Sequence, residues 1–358
     1  MVKILPFQKY LDLYFGTIRK LIPRKKEENA IGLDISSSDC KLIEITKSDD
    51  KYQLVNWDIE PIGKDGIKST IQRVLERLAS KPKALSTAVF GKGTLIRYID
   101  MPRMMIDDLR KAFNIEADKY FPFTQDQIYT DCYILDDSNK NKPMSIMVAA
   151  AKREIIDERV KLLAELGLEV DFIGLNPIAL SNVLNVLGGN KGIKEGSAVA
   201  LLDMGDTVSN LTILINNRPY FTRDIFMGGR ELTKQIANAL NIDLKAAENM
   251  KINPEGKKQE ILNICESALM NIIQELRLSF DYFSTERSIE ISQMLITGGS
   301  SLLDGIDGVF QKNLEVSVGK WDPLANLEVP ESIAKDGLFR KESFKMGAAL
   351  GLALYNYD

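Results

Sequence analysis

Two acids stand at corresponding places in the two halves of the chain, and each is followed by a turn of small, polar residues. Asp34 lies in AIGLDISSSDCKLIEI over residues 30–45, and Asp203 lies in AVALLDMGDTVSNLTIL over residues 198–214. In both, β-branched apolar runs flank the turn, which is the pattern of a β-hairpin. The turns are built from Ser36, Ser37 and Ser38 in the first and Gly205, Asp206 and Thr207 in the second. Side chains of that size let backbone N–H groups approach a ligand, and successive N–H groups form an anion-binding nest. A carboxylate at the strand end does not welcome phosphate itself, but it holds a hydrated Mg²⁺ that bridges to phosphate. Lys41, where the chain leaves the first turn, adds a point positive charge. Either hairpin alone is equally an ordinary solvated turn. The repetition argues for more: an offset of 169 sets Asp203 on Asp34, Leu202 on Leu33, Gly205 on Ser36, Thr207 on Ser38 and Leu211 on Leu42.

A third small turn follows at LITGGSSL, residues 295–302, where a strand runs into Gly298, Gly299 and Ser300 and then a helix. Glycine allows close backbone approach, and a helix N-terminus favours an anion or a sugar hydroxyl. Gly228 and Gly229 open another helix, which is also what a plain strand-to-helix turn looks like. Glu248 and Lys251 lie one turn apart on a predicted helix, a spacing equally suited to a solvated face.

Two acid-tipped hairpins and a strand–Gly-Gly–helix, in that order, resemble the actin-like ATPase family, which includes actin, Hsp70, sugar kinases, FtsA and PilM. The resemblance covers most of the chain after residue 29. It implies an α/β fold of two related domains, each a mixed sheet flanked by helices, with ATP and Mg²⁺ as cofactors. By the same resemblance Asp34, Ser36, Ser37, Ser38 and Lys41 form a phosphate-1 loop, and Asp203, Gly205, Asp206 and Thr207 a phosphate-2 loop. Gly228 and Gly229 would lie beside the phosphates, Glu248 and Lys251 beside ribose and adenine, and Gly298, Gly299 and Ser300 against the adenosine. Asp34 and Asp203 would hold Mg²⁺ through water. Bacterial members often orient the attacking water with a Glu directly before a Pro. Here Asn176 precedes Pro177, so Asn176 is the candidate water-orienting residue. An amide hydrogen-bonds a water but cannot take its proton. Ser36 stands where glycine is usual, and Asp39 adds a negative charge. These departures imply slow hydrolysis or none.

The elements that must position these residues follow from hydrophobic periodicity. A third strand is predicted over 51–62, a helix over 66–79, and strands over 85–90 and 94–101. A helix from 107 to 120, strands over 128–135 and 144–151, a helix over 153–166 and a strand over 168–173 come next. Asn176 and Pro177 are read as capping a helix through 186, and a long helix is predicted over 257–286. The combination of Met-Pro at 101–102, IEADKYFPF at 115–123 and VAAAKRE at 148–154 is similar to the extra subdomain of the FtsA/PilM branch. The predicted division is therefore a first actin-like half at 30–102 and 167–196, an inserted α+β subdomain at 103–166, a second half at 197–236 and 292–358, and its helical subdomain at 237–291. The small-residue helix FKMGAALGLAL at 344–354 is similar to an interdomain connector of the fold, where close packing needs small side chains.

Residues 1–29 carry Phe7, Leu11, Tyr14, Ile18 and Leu21 at helical spacing, with seven basic and three acidic residues. Such a basic amphipathic segment suits an anionic membrane surface, or packs on its own domain or a partner helix. The whole chain has 358 residues, a net charge of −4 and pI near 5.3, which gives no electrostatic footprint for nucleic acid. With no histidine, neither the usual zinc site nor a Ser-His or Cys-His triad can be built. Three scattered cysteines fit a cytosolic location.

Within the branch, the chain ends at Tyr355–Asp358 directly after the connector helix, whereas FtsA is expected to continue into an amphipathic membrane helix. The layout therefore resembles the PilM type. That resemblance implies a cytoplasmic, ATP-binding adaptor of type IV pilus assembly, peripheral at the inner membrane. Its implied partner is the cytoplasmic tail of a PilN-like inner-membrane protein, and pilus assembly ATPases are further candidates. An FtsA-like cytoskeletal ATPase, a type II secretion adaptor and, with less support, a small-molecule kinase are the alternatives.

Overall fold

The computed structural model describes residues 29–48, 51–138, 141–188 and 196–357. Residues 1–28, nearly all of the predicted basic amphipathic segment, lie outside that range.

In chain order, β1 (Asn29–Ile35), β2 (Asp39–Ser48), β3 (Lys51–Pro61) and β4 (Ala84–Val89) begin the first sheet. β5 (Thr94–Met101), β6 (Ile128–Asp136) and β7 (Met144–Lys152) form the insert, and β8 (Glu169–Leu175) returns to the first sheet. β9 (Ala198–Met204), β10 (Ser209–Ile215), β11 (Arg218–Ile225), β12 (Ile291–Thr297) and β13 (Ser317–Lys320) form the second. The strand orders are β3-β2-β1-β4-β8 and β11-β10-β9-β12-β13, so the two sheets share one topology. Each hairpin is antiparallel, and its first strand pairs in parallel with the next strand of the sheet. The 169-residue repeat extends to register: all seven β1–β2 pairs, from Asn29↔Thr46 to Ile35↔Cys40, recur from Ala198↔Ile215 to Met204↔Ser209. Asp34 therefore faces Lys41 as Asp203 faces Asn210.

One core joins the halves. Ile43 and Ile45 of the first sheet and Val199, Leu201, Leu214 and Leu295 of the second share a cluster with Leu180, Leu184 and Leu350. The last three come from the Asn176–Leu187 and Gly347–Leu354 helices, which lie between the sheets. Each such side chain, when fully buried, contributes about 1.5–3 kcal/mol. The approach there is backbone to backbone: a Cβ on Gly351 would lie 1.7 Å from the Ala179 carbonyl oxygen, and one on Gly32 would lie 1.9 Å from that of Ala349. The Lys258–Arg287 helix covers the other face of the second sheet with Ile261, Cys265, Ala268, Ile272, Leu276 and Phe283 buried, as their spacing predicts.

Four elements differ from the sequence reading. The strand Thr94–Met101, assigned there to the first half, pairs with β7 in a separate sheet ordered β5-β7-β6. The Arg153–Ala164 helix, assigned to the insert, places Leu163 in the core of the first sheet. Periodicity identifies a buried face but not which sheet buries it. Gly298 and Gly299 lead into a 3₁₀ turn, Gly299–Leu302, and the helix starts only at Ile306. Asn176 is the first residue of its helix and not its cap; Leu175 holds the extended cap position.

Candidate functional site

The two acid-tipped turns meet. Ser37 Oγ lies 3.2 Å from Thr207 Oγ1, a contact between residues 170 apart in sequence. Around it the predicted residues of both halves gather.

In the first turn most donors face inward. Ser36 N–H donates to Asp39 O at 2.9 Å, and the Ser38 and Asp39 amides donate to Ser36 Oγ. Ser36 and Ser38 hydroxyls donate to the Asp39 carboxylate at 2.7 and 3.0 Å. Among the described residues the Ser37 amide donates to no such acceptor, so the nest expected here narrows to the turn tip. Lys41, expected as a free positive charge, is buried between Asp34 Oδ2 at 3.0 Å and Asp39 Oδ1 at 2.6 Å. Its charge is already balanced. Burial would raise the Asp39 carboxyl, but Lys41 and the two serine hydroxyls outweigh it and hold that carboxyl below the usual range. Asn176 Nδ2 donates to Asp34 Oδ1 at 3.2 Å. A carboxylate can only accept, so this bond fixes the amide's orientation and leaves Asn176 Oδ1 as an acceptor, buried and with no partner.

The second turn is organised on the Gly205 carbonyl. Gly229 N–H donates to it at 2.8 Å and Ser300 Oγ at 3.2 Å, while Arg230 N–H donates to Asp206 O at 2.8 Å. The amide of Gly229, a residue expected beside phosphate, and that of Arg230 are thus spent on the turn itself. The glycines are what let these backbones meet: a Cβ on Gly228 would lie 2.5 Å from Gly205 O. Gly298, at φ +83°, would place a Cβ 2.3 Å from Asp203 Oδ1. Lys251 Nζ, nearly buried, donates to Glu248 Oε2 at 2.8 Å, Thr233 Oγ1 at 2.9 Å and Gly229 O at 3.2 Å. Lys251 is therefore turned inward onto the Gly229 carbonyl, while the Glu248 side chain remains partly exposed. Gly299 packs on the Lys345 side chain.

Three participants were missed. Asn210 stands where Lys41 stands in the first hairpin, and the 169 offset could have revealed it. Its amide turns away to Asp224 Oδ1 at 2.5 Å. Among the described residues Asp203 consequently has no cation on its own hairpin. Burial pushes its carboxyl up to about 6; Lys41 pulls the other way, and Asp34 and Asp39 add to the rise. Arg159 and Thr87 lie behind Asp34: Arg159 Nη1 donates to Thr87 Oγ1 at 3.0 Å, and Thr87 Oγ1 donates to Leu33 O at 2.8 Å. No spacing in the sequence signals that connection.

On the other side of the Leu175–Pro177 turn runs a groove between β5 and β11. One cavity of about 460 Å³ is lined by Phe90, Leu95, Phe123, Pro177 and Phe226. An adjoining one of about 520 Å³ is lined by Tyr220, Phe221 and Tyr282, and the two share Ile96, Arg97, Thr222 and Arg223. Phe226 is 57% exposed, and Lys92 Nζ lies 5.9 Å from its ring centre.

Comparison with known proteins agrees with this architecture. The family model of the type IV pilus assembly protein PilM matches residues 32–357. The chain belongs to the PilM family. A solved PilM–PilN type IV pilus biogenesis complex contains a chain with the same fold, at a TM-score of 0.81 and 23% identity, covering 93% of this chain and 99% of that one. The ethanolamine utilization protein EutJ of Carboxydothermus hydrogenoformans matches at a TM-score of 0.50 and 16% identity, over 96% and 98% of the two chains. The cell division protein FtsA of Streptococcus pneumoniae is 24% identical over 197 residues, 51% of this chain and 42% of FtsA. The chain thus spans less than half the length of that curated relative. The PilM-family fold here is the actin-like ATPase fold read from the two hairpins, with FtsA a distant relative. Among the described residues no helix is long and apolar enough to cross a membrane.

Proposed function

We propose that the protein is a nucleotide-holding adaptor of type IV pilus assembly. Mg²⁺·ATP sits between the Asp34 and Asp203 hairpins and sets the stance of the two halves, and the cytoplasmic tail of a PilN-like inner-membrane protein lies in the groove beside the inserted sheet. The observation that carries the reading is the pair of carboxylates, Asp34 and Asp203, brought to one cleft by hairpins of identical register. Family membership supplies the pilus context, and the related PilM chain was solved with PilN.

The donor set fits Mg²⁺. No group of three acidic, cysteine or histidine side chains suited to a dedicated cage occurs among the described residues. Mg²⁺ characteristically takes one or two carboxylates, keeps several waters and completes its shell with phosphate oxygens. Asp203, partly buried and without a cation on its own hairpin, supplies a carboxylate whose negative charge a divalent ion would stabilise. When bound, the ion neutralises phosphate charge. The tip amides of both turns contact phosphate oxygens, and Lys251 and Glu248 flank the nucleoside. The protein works at the cytoplasmic face of the inner membrane, held there by the tail and by the basic residues 1–29.

Two expected results test this. A synthetic peptide of the cytoplasmic tail of the PilN-like protein from the same system should bind the full chain, and Phe226→Ala should weaken it about tenfold or more, as loss of a buried aromatic anchor does. Phe226 is exposed, so the substitution spares the fold; undiminished peptide affinity would remove the groove from the proposal. Turnover should be slow, because Asn176 Oδ1 can accept a hydrogen bond from water but cannot take its proton, forgoing roughly 10²–10⁴-fold. Single-turnover hydrolysis at several per second, lost in Asn176→Ala, would show an enzymatic cycle instead.

A further inference from the structure

The insert joins the first half through a narrow neck. β4 leads to β5 through Phe90–Gly93, and β7 returns straight into the Arg153–Ala164 helix. The two crossings are tied where Lys152 N–H donates to Gly93 O at 2.9 Å, with Gly93 in a left-handed conformation at φ +101°. The helix then carries Arg159 back to the end of β4. There Nη1 donates to Ala88 O at 2.7 Å and to Thr87 Oγ1 at 3.0 Å. Thr87 passes the contact on to Leu33 O, one residue before Asp34. Asp34 in turn accepts from Asn176, whose neighbour Pro177 lines the groove together with Gly91 and Gly93 of the neck.

A half-buried guanidinium is a costly way to fill space. Among the described residues Arg159 has no carboxylate bonded to it, and burial works against its charge, with Asp34 supplying the largest compensating field. An aliphatic side chain would pack there at lower cost. What arginine adds is a charged donor, Nη1, that spans two acceptors at the end of β4, Thr87 Oγ1 and Ala88 O, and so ties the neck through Thr87 to the strand that carries Asp34.

We propose that Arg159 is a positioning residue that ties the neck of the inserted sheet to the Asp34 hairpin, so that occupancy of the groove and of the nucleotide cleft are linked through it. This rests on the nucleotide and tail reading above. A tail seated against Phe90, Phe123 and Pro177 bears on the neck and on the Asn176 turn at once. Nucleotide bears on the Asp34 hairpin. With Arg159 in place these are two ends of one hydrogen-bonded chain; without it the neck and hairpin settle separately. Linkage is reciprocal, so either ligand reports it.

The experiment measures Mg²⁺·ATP affinity of the full chain with and without saturating PilN-tail peptide, in wild type, Arg159→Met, Arg159→Lys and Thr87→Val, with a melting curve for each. Wild type is expected to show at least a fivefold change in affinity, the lower end of ordinary coupling. Arg159→Met and Thr87→Val are expected to reduce it to within about twofold of unity. Arg159→Lys, which keeps a charged donor on a flexible stem, should recover part of it. A purely structural role would lower the melting temperature and both affinities but leave their ratio unchanged, and that result would overturn the proposal. Thr87→Val removes one hydroxyl and keeps the shape, so the test stands even if Arg159→Met folds poorly. Wild type binding both ligands without coupling would overturn this proposal alone. Failure of wild type to bind nucleotide at all would overturn it together with the nucleotide reading.

Discussion

Asp203→Asn is expected to abolish the rise in melting temperature that Mg²⁺·ATP produces in the wild type, and at the same time to make the unliganded protein more stable. The first effect is mass action: a ligand that binds the folded state alone stabilises it, and loss of the metal-linked carboxylate removes that binding. The second follows from the raised carboxyl of Asp203, about 6 in the folded chain against 3.8 in an unfolded one. For an acid whose folded pKa is raised, the associated stabilisation is fully present below the unfolded value and is lost as pH rises through the folded value. At pH 8 the ionised, partly buried Asp203 therefore costs the wild type on the order of 1–3 kcal/mol that asparagine does not incur. The difference should shrink toward zero between pH 6 and pH 4. By the same linkage, wild-type affinity for Mg²⁺·ATP should fall as pH drops below 6, because the protonated acid no longer favours the ion. Urea denaturation and thermal-shift titrations at pH 5 and pH 8 read both. A variant that still shows the full ligand shift, or that is less stable than wild type at pH 8, would remove Asp203 from this role.

Gly351→Ala should destabilise the protein by about 3 kcal/mol or more, the upper end for overpacking, because nothing soft stands in the way. The added methyl would meet the backbone of Ala179, with the carbonyl oxygen at 1.7 Å and the carbonyl carbon at 2.4 Å. Relief requires the Gly347–Leu354 helix to move off the Asn176–Leu187 helix. Gly32, on the same helix's other side, leaves as little room and lies two residues before Asp34. The displacement would therefore reach the nucleotide cleft, and weakened Mg²⁺·ATP binding should accompany the loss of stability. Gly308→Ala is the control. It sits in the Ile306–Leu314 helix with open space where its Cβ would be, so relieving the unfolded chain of a glycine should be neutral or mildly stabilising. Equal denaturation midpoints for Gly351→Ala and wild type would show that the two helices are not locked at this contact.

Much of this molecule was determined by the sequence itself. The hairpin repeat, with apolar alternation around two acid-tipped turns at a constant offset, specified two sheets of one topology, because register follows pattern when one face must be buried. Glycines at 228 and 298 marked places where backbones meet, and Gly229 the place where Ser300 packs in, for the steric reason that a Cβ would not fit. What local pattern could not carry was the choice among partners once several were within reach. Lys41 reads as a free cation until Asp39 and Asp34 are seen to enclose it. Asn210, in the place of Lys41 in the second hairpin, is bonded to Asp224, a choice of partner that no local pattern signals. Gly229, expected with Gly228 beside the phosphates, has its amide taken by the Gly205 carbonyl. Arg159 carried no signal at all, since its acceptors lie more than seventy residues away in sequence and are backbone or hydroxyl oxygens of ordinary strand residues. Apolar periodicity is a property of one element and survives in the sequence. Hydrogen-bond choice and the energy of a buried charge are set by whatever other elements converge on it, and only the packed chain decides them.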